Sequence, residues 1–283
     1  MTYASVEVGS KGLGQRSILL PPKEAIPKAR AAALKALQID DSLAEAHASL
    51  GLIAEQYDYD WQTAEREFRR AIELDPDYAT GHQWYAEYLS LQGRFDEAMA
   101  ESERARQLDP LSLIIATDHG VILFYSRQYD RAIEQFRAVR EMEIDFPRSG
   151  VIINAYIEKG DFAAALAGVE DLGRRHHLQN APDTFADKTY VYGRWGRRRD
   201  AQQAFAKFEE QSKRQQDSRA DPVWPKLEAY MGVGRKDDVI AVLQQEYAKH
   251  TNALINLKVD PFFDSLRGDP RFQHLLRNAH LSP

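Results

Sequence analysis

The sequence predicts an all-α solenoid of about six to seven stacked helix pairs, finished by a C-terminal helical cap. Three observations carry this. Leu-Asp-Pro recurs at 74–76 and 108–110, which sets Pro76 and Pro110 34 residues apart. Small or apolar residues keep the same frame, as Ala64, Phe68 and Ala71, then Ala98, Ser102 and Ala105, then Ala132, Phe136 and Val139. Glycine-led turns at Gly93-Arg94, Gly160-Asp161, Gly196-Arg197 and Gly234-Arg235 each fall five residues before a framed residue. A fixed period of roughly 20–50 residues marks an architecture of repeated supersecondary units.

The elements follow in order, as one unit over 1–283. Residues 1–42 read as a partial or degenerate first repeat: 3–20 are glycine-rich with little helical periodicity, while Ala29, Ala33 and Ala36 fit the second-helix frame. Repeats occupy 43–250. Their first helices carry Leu50-Gly51, Tyr85-Ala86 and His119-Gly120, small positions where one helix must come close to another. The first loop, Tyr57-Asp58-Tyr59-Asp60-Trp61, holds one residue too many, since Gly51 to Ala64 spans 13 positions and Ala86 to Ala98 spans 12. Each second helix stops where proline removes a backbone donor and drives Asp75 or Asp109 out of the helical region. After residue 145 the pattern is less regular, with a late Pro147 and a longer connection at 173–184, but Ala165, Val169, Leu172, Ala201, Phe205, Phe208, Val239 and Leu243 keep the frame. In 251–283, Pro261 and Pro270 divide the chain into short helices. Their Phe262, Phe263, Leu266, Phe272, Leu275 and Leu276 are expected to cover the exposed end of the stack, which terminal repeats require.

A helix–turn–helix unit of this period, with these small residues and this proline, resembles the tetratricopeptide repeat over essentially residues 3–250. The resemblance implies a right-handed solenoid that binds protein or peptide partners on a concave face lined by its first helices. Carried over by position, the lining residues are Glu45, Ala48, Leu52, Glu55 and Gln56, then Thr80, Gln83, Glu87, Ser90 and Leu91, then Ile114, Thr117, Val121, Phe124 and Tyr125. Glu45, Glu55, Gln83, Glu87, Leu91, Thr117, Phe124 and Tyr125 are the expected partner-binding residues. Chaperone-binding members of the family clamp a C-terminal carboxylate with basic and amide side chains. Here those positions hold Ala48, Leu52, Trp84 and Ile114, so an acidic and apolar groove should prefer a basic or amphipathic segment instead. The tail LINLKVDPFFDSLRGDPRFQHLLRNAHL at 254–281, with LLPPKEA at 19–25 and YDYDW at 57–61, is similar to the repeat regions of bacterial regulators. There, a winged-helix DNA-binding domain or a serine/threonine kinase domain precedes the repeats, which implies a partner-sensing role for this chain.

Composition excludes several functions. Zero cysteines rule out disulfides, thiolate catalysis and cysteine-bound zinc. No apolar run approaches the ~20 residues of a membrane helix, and the N-terminus has no signal-like apolar stretch, so a cytoplasmic location is expected. His176 and His177 point apart on a helix, His47, His82 and His119 read as packing or groove residues, and no metal motif accompanies them. Gly9, Gly12 and Gly14 lack the Gly-Lys-Ser/Thr of a phosphate loop. No enzyme and no cofactor are expected. Charge is polarised: 40–110 hold 17 acidic and 6 basic residues, whereas 173–219 hold 11 basic and 6 acidic. The basic stretch, with Arg174-Arg175 and Arg197-Arg198-Arg199, is the surface on which nucleic acid would have to bind. It reads as a solvated turn. DNA contact by a regulator fragment and substrate holding for an enzyme are the alternatives to a protein-binding scaffold.

Overall fold

The computed structural model describes residues 22–146, 150–214, 223–249 and 251–281. The degenerate unit at 3–20, Gly9, Gly12, Gly14, Pro147 and Arg219 lie outside the described residues. Among the described residues there are fourteen α-helices and no strand. Helix α1 (Pro22–Ile39) stands as the second helix of a leading unit and packs on α2. Six hairpins follow: α2 (Ala44–Ile53) with α3 (Trp61–Leu74), α4 (Ala79–Leu91) with α5 (Phe95–Leu108), and α6 (Leu113–Tyr125) with α7 (Tyr129–Met142). The series continues with α8 (Ile152–Lys159) and α9 (Phe162–Arg175), α10 (Pro182–Arg194) and α11 (Arg198–Arg214), then α12 (Val223–Gly232) and α13 (Lys236–Lys249). Short 3₁₀ turns at Asn252–Leu254 and Pro261–Leu266 lead to α14 (Pro270–Asn278).

The framed residues sit where helices meet. Ala64, Phe68, Ala71, Ala98, Ala105, Ala132 and Phe136 are completely buried. Size is matched across each hairpin. A Cβ on Gly51 would stand 2.8 Å from the Phe68 ring, and one on Gly120 would stand 2.6 Å from Phe136. Where the second helix carries the smaller Ser102 instead, the first helix carries Ala86. Close packing of this kind leaves no room for an extra methyl group.

The turns share one conformation. Gly93, Gly160, Gly196 and Gly234 all have φ between 77° and 83°, the left-handed region that glycine enters without steric cost. Tyr59 (φ 53°) and Arg127 (φ 65°), each 34 positions from Gly93, adopt it without being glycine. Asp75 and Asp109 leave their helices with extended backbones, φ −137° and −135°. Glu143, 34 positions beyond Asp109, does so as well (φ −147°) although no proline follows it directly, so Pro76 and Pro110 reinforce a break that the packing also imposes. The surplus residue of the first loop is absorbed as a π turn at Ala54–Asp58, and Asp60 N–H reaches back to the Ala54 carbonyl at 2.9 Å.

The C-terminal segment covers the last hairpin, and it also does more. Leu254, Leu257, Phe263, Leu266, Phe272, Leu275 and Leu276 join Leu227, Val239, Ile240 and Leu243 in a cluster that continues into Tyr59, Trp61, Phe68, Tyr85, Tyr88 and Leu89 of the first two hairpins. Trp61 Nε1 donates to the Ala279 carbonyl at 2.7 Å, the Tyr59 hydroxyl donates to the Thr251 carbonyl, and Tyr59 stacks on Tyr247 at 6.5 Å. Phe262 packs on Tyr190 at 4.9 Å and on Trp224 at 5.9 Å. The tail therefore crosses the inside of the curve and links the last hairpin to the first. Burying each such aromatic ring stabilises by about 1.5–3 kcal/mol, enough to hold the segment there.

Candidate functional site

A cavity of about 420 Å³ lies on the inner face, bounded by first helices of the hairpins and by the tail. The π turn contributes Glu55 and Gln56, α4 contributes Glu87, Ser90 and Leu91, and α6 contributes Asp118, Val121, Ile122, Phe124 and Tyr125. Asn154, Asp183, Trp224 and Glu228 complete the far wall, and Asn252, Ile255, Asn256 and Asp260 come from the tail. Glu55 and Gln56 lie in the π turn and are almost fully buried, at 1% and 3% exposure, and they line the same cavity as Ser90, Leu91, Phe124 and Tyr125 at the matching positions of α4 and α6.

Of the eight expected partner-binding residues, Glu55, Glu87, Leu91, Phe124 and Tyr125 meet at this cavity. Gln83 is buried one layer behind, where its amide donates to Asp118 Oδ2 at 2.6 Å and steadies that carboxylate. Thr117 is fully buried and spends its hydroxyl on the Leu113 carbonyl at 2.6 Å, within its own helix. Glu45 is exposed in the first turn of α2, away from the cavity wall. Position in the repeat did not point to Trp224, Glu228, Asn256 or Asp260. The one sequence signal for the tail's part was its run of alternating prolines and phenylalanines at 261–272.

Burial first, and the charge of Glu87 next, hold the Glu55 carboxyl well above the ordinary carboxylate range, while a bond from Gln56 works the other way. Burial pushes Asp260 up to about 7, against the opposing effect of the Phe262 N–H, which donates to Asp260 Oδ1 at 2.9 Å. Asn256 Nδ2 donates to Asp260 Oδ2 at 2.9 Å and reaches the Tyr125 hydroxyl at 3.3 Å, so tail and α6 are joined at the cavity's edge.

His47, His82 and His119 are packing residues. His47 Nδ1 lies 2.8 Å from Glu67 Oε2 and His82 Nδ1 lies 2.6 Å from Glu101 Oε2, a pairing repeated in successive hairpins, with the second ring nitrogens on the Asp41 and Pro76 carbonyls. His119 Nδ1 faces Ser102 Oγ at 3.0 Å. Among the described residues, no group of three or more histidine or carboxylate side chains is placed to hold a metal ion. In the basic stretch, Arg175 pairs with Asp171 at 2.9 Å, Lys188 with Glu170 at 3.3 Å, Arg214 with Glu210 at 2.6 Å, and Arg194 with Glu158. Arg197 binds Asp200 at 2.7 Å and lies over Tyr192 and Trp195, while Arg198 and Arg199 are exposed at the start of α11. No helix among the described residues is long and apolar enough to cross a membrane.

This geometry defines an all-α helical-repeat fold of stacked hairpins. Residues 67–100 match a family model for the tetratricopeptide repeat. A tetratricopeptide repeat protein from Parabacteroides merdae has a similar structure, with a TM-score of 0.61 and 13% identity over 91% of this chain and 93% of that one. The APC/C hetero-tetramer Cut9–Hcn1 superposes with a TM-score of 0.57 and 13% identity, over 90% of this chain and 46% of that chain. PilF of Pseudomonas aeruginosa does so at 0.54 and 19% identity, over 76% and 90%. These likenesses show the fold. No curated protein matches the sequence.

Proposed function

We propose that this chain is a protein-interaction scaffold, the sensing part of a bacterial signalling or transcription regulator in the cytoplasm. Its inner face receives a basic or amphipathic segment of a protein partner. The observation that carries the reading is the convergence of Glu55, Glu87, Leu91, Phe124 and Tyr125, from three successive hairpins, on one concave wall. Acidic groups on such a wall draw in a cationic segment, and aromatic groups give it desolvated anchors.

The test is surface plasmon resonance with the full chain immobilised and with basic amphipathic, neutral and acidic peptides of equal length, at two salt concentrations. Basic peptides should bind best, and their association should slow as salt rises. Glu87→Lys should mainly slow association, and Tyr125→Ala should mainly speed dissociation. A preference for acidic peptides would refute the reading. So would binding that ignores both variants but disappears when Arg197, Arg198 and Arg199 become alanine, which would move the surface to the basic stretch.

A further inference from the structure

The inner cavity has a chemistry that a shallow peptide groove does not need. Glu55 Oε2, Gln56 Oε1, Ser90 Oγ and Asn256 Oδ1 are buried on its wall, and none of the four has a hydrogen-bond partner. Native proteins rarely leave buried polar atoms unpaired, because each has given up water without a replacement. All four can accept a hydrogen bond, Ser90 Oγ being able to donate as well, and they surround one space, so a molecule rich in N–H donors complements them. Glu87 and Asp260 add carboxylates to the same wall, and the described lining contains no lysine, arginine or histidine. Phe124, Tyr125 and Trp224 supply aromatic faces, which attract organic cations through their ring electrons. The carboxylates are spread along the cavity and do not converge as a metal site would, which suits an elongated cation over a compact ion. At about 420 Å³ the space lies within the roughly 300–1,000 Å³ of small-molecule sites.

We propose that this cavity is a binding site for a small organic cation, with ammonium or guanidinium groups carried on an apolar chain, such as a diamine, a polyamine or agmatine. This goes beyond the partner-segment reading, since a free amine needs no partner protein. The site has two sources in the sequence. Repeat position brings Glu55 and Gln56, held in the π turn, to the inner face, and the tail delivers Asn256 and Asp260 from about 200 positions away. Burial holds the Glu55 and Asp260 carboxyls above their ordinary range, and a bound cation supplies the opposite charge that favours their ionised forms.

Isothermal titration calorimetry of the full chain at pH 7.5 tests this with putrescine, spermidine and agmatine. Butane-1,4-diol serves as a neutral mimic, and a short arginine-containing peptide amide as the alternative source of the same chemistry. At least one free amine should bind saturably at a single site, and the diol should not. Glu55→Gln and Asn256→Leu should each weaken binding about tenfold or more, whereas Glu141→Gln, on the exposed face of α7, should not. Thermal melts of the variants separate lost binding from lost folding, and Trp224→Leu gives an arm that removes an aromatic face without touching the polar atoms, read against its own melt because Trp224 also packs on Phe262 and Phe263. If the peptide binds and the free amines do not, the small-cation proposal is overturned and the partner-segment reading stands. Binding of the diol as tightly as the amines overturns the proposal. So does amine binding unchanged in all three cavity variants, and so does the absence of any binding.

Discussion

Trp61 and Ala279 are 218 positions apart, and the indole N–H of the one donates to the carbonyl of the other at 2.7 Å, in an environment where Ala279 is fully buried. A solenoid whose repeats touch only their neighbours has no such bond. Here the tail joins the two ends, so loss of this donor should be felt by the whole molecule. Trp61→Phe keeps an aromatic ring but leaves the buried carbonyl unpaired, which should cost about 1–3 kcal/mol. The check is the denaturant midpoint followed by two probes, one near each end. Both should shift together, and a midpoint equal to the parent's would mean that the tail does not close the structure.

The small-residue frame makes a packing prediction. Ala98 is completely buried between helices, so Ala98→Leu should overpack the hairpin and destabilise by roughly 1–3 kcal/mol, while Asp96→Ala on the exposed side should be nearly silent. Gly120→Ala should also destabilise, because its methyl group would meet the Phe136 ring at 2.6 Å. Combined with Phe136→Ser, which copies the Ala86 and Ser102 pairing of the preceding hairpin, it should cost less than the sum of the two single changes. A double-mutant cycle by urea denaturation measures that coupling.

The turn conformation can be separated from packing at Gly160. Its φ is 83° and an added Cβ would meet nothing within 4 Å, so Gly160→Ala reports backbone strain alone, about 1–2 kcal/mol. Arg127→Gly at the related turn relieves strain of that size but gives up the half-exposed pair with Asp264, worth about 1 kcal/mol or less, so its net effect should be small. Thermal melts that ranked Arg127→Gly as the more damaging of the two would contradict the shared conformation.

Two buried groups should make stability depend on pH with opposite signs. Asp260 has a folded pKa raised to about 7, so its contribution is complete below the unfolded value near 3.8 and is lost as pH rises through 7. Asp260→Asn should therefore melt above the parent at pH 8, and the gap should close towards pH 4. Burial lowers His119 to about 4, with the charge of Arg106 adding to the effect. Its contribution is present above the unfolded value near 6.5 and is lost as pH falls towards 4. In His82, burial opposes the charged form, but the bonds to Glu101 and the Pro76 carbonyl outweigh it and raise the pKa. Ring-proton titration by NMR should place His82 above the free imidazole value and His119 well below it.

The hairpins were legible in the sequence because the forces that shape them act over one period. Ala98 against its neighbouring helix, Gly93 in its turn and Pro76 at its break each act within one or two adjacent hairpins, so their spacing alone reveals the helices. Five of the eight expected groove residues meet at the cavity for the same reason, since position in a repeat determines which face a side chain takes. Gln83 turned inward because the neighbouring α6 offered it Asp118, and Thr117 spent its hydroxyl on the Leu113 carbonyl of its own helix, pairings that periodicity does not show. The tertiary structure alone decided that the tail lies inside the curve and that Asn256 and Asp260 face Glu55. Small rotations between hairpins accumulate over six pairs until the last faces the first, and a contact made by that sum leaves no mark in any single repeat.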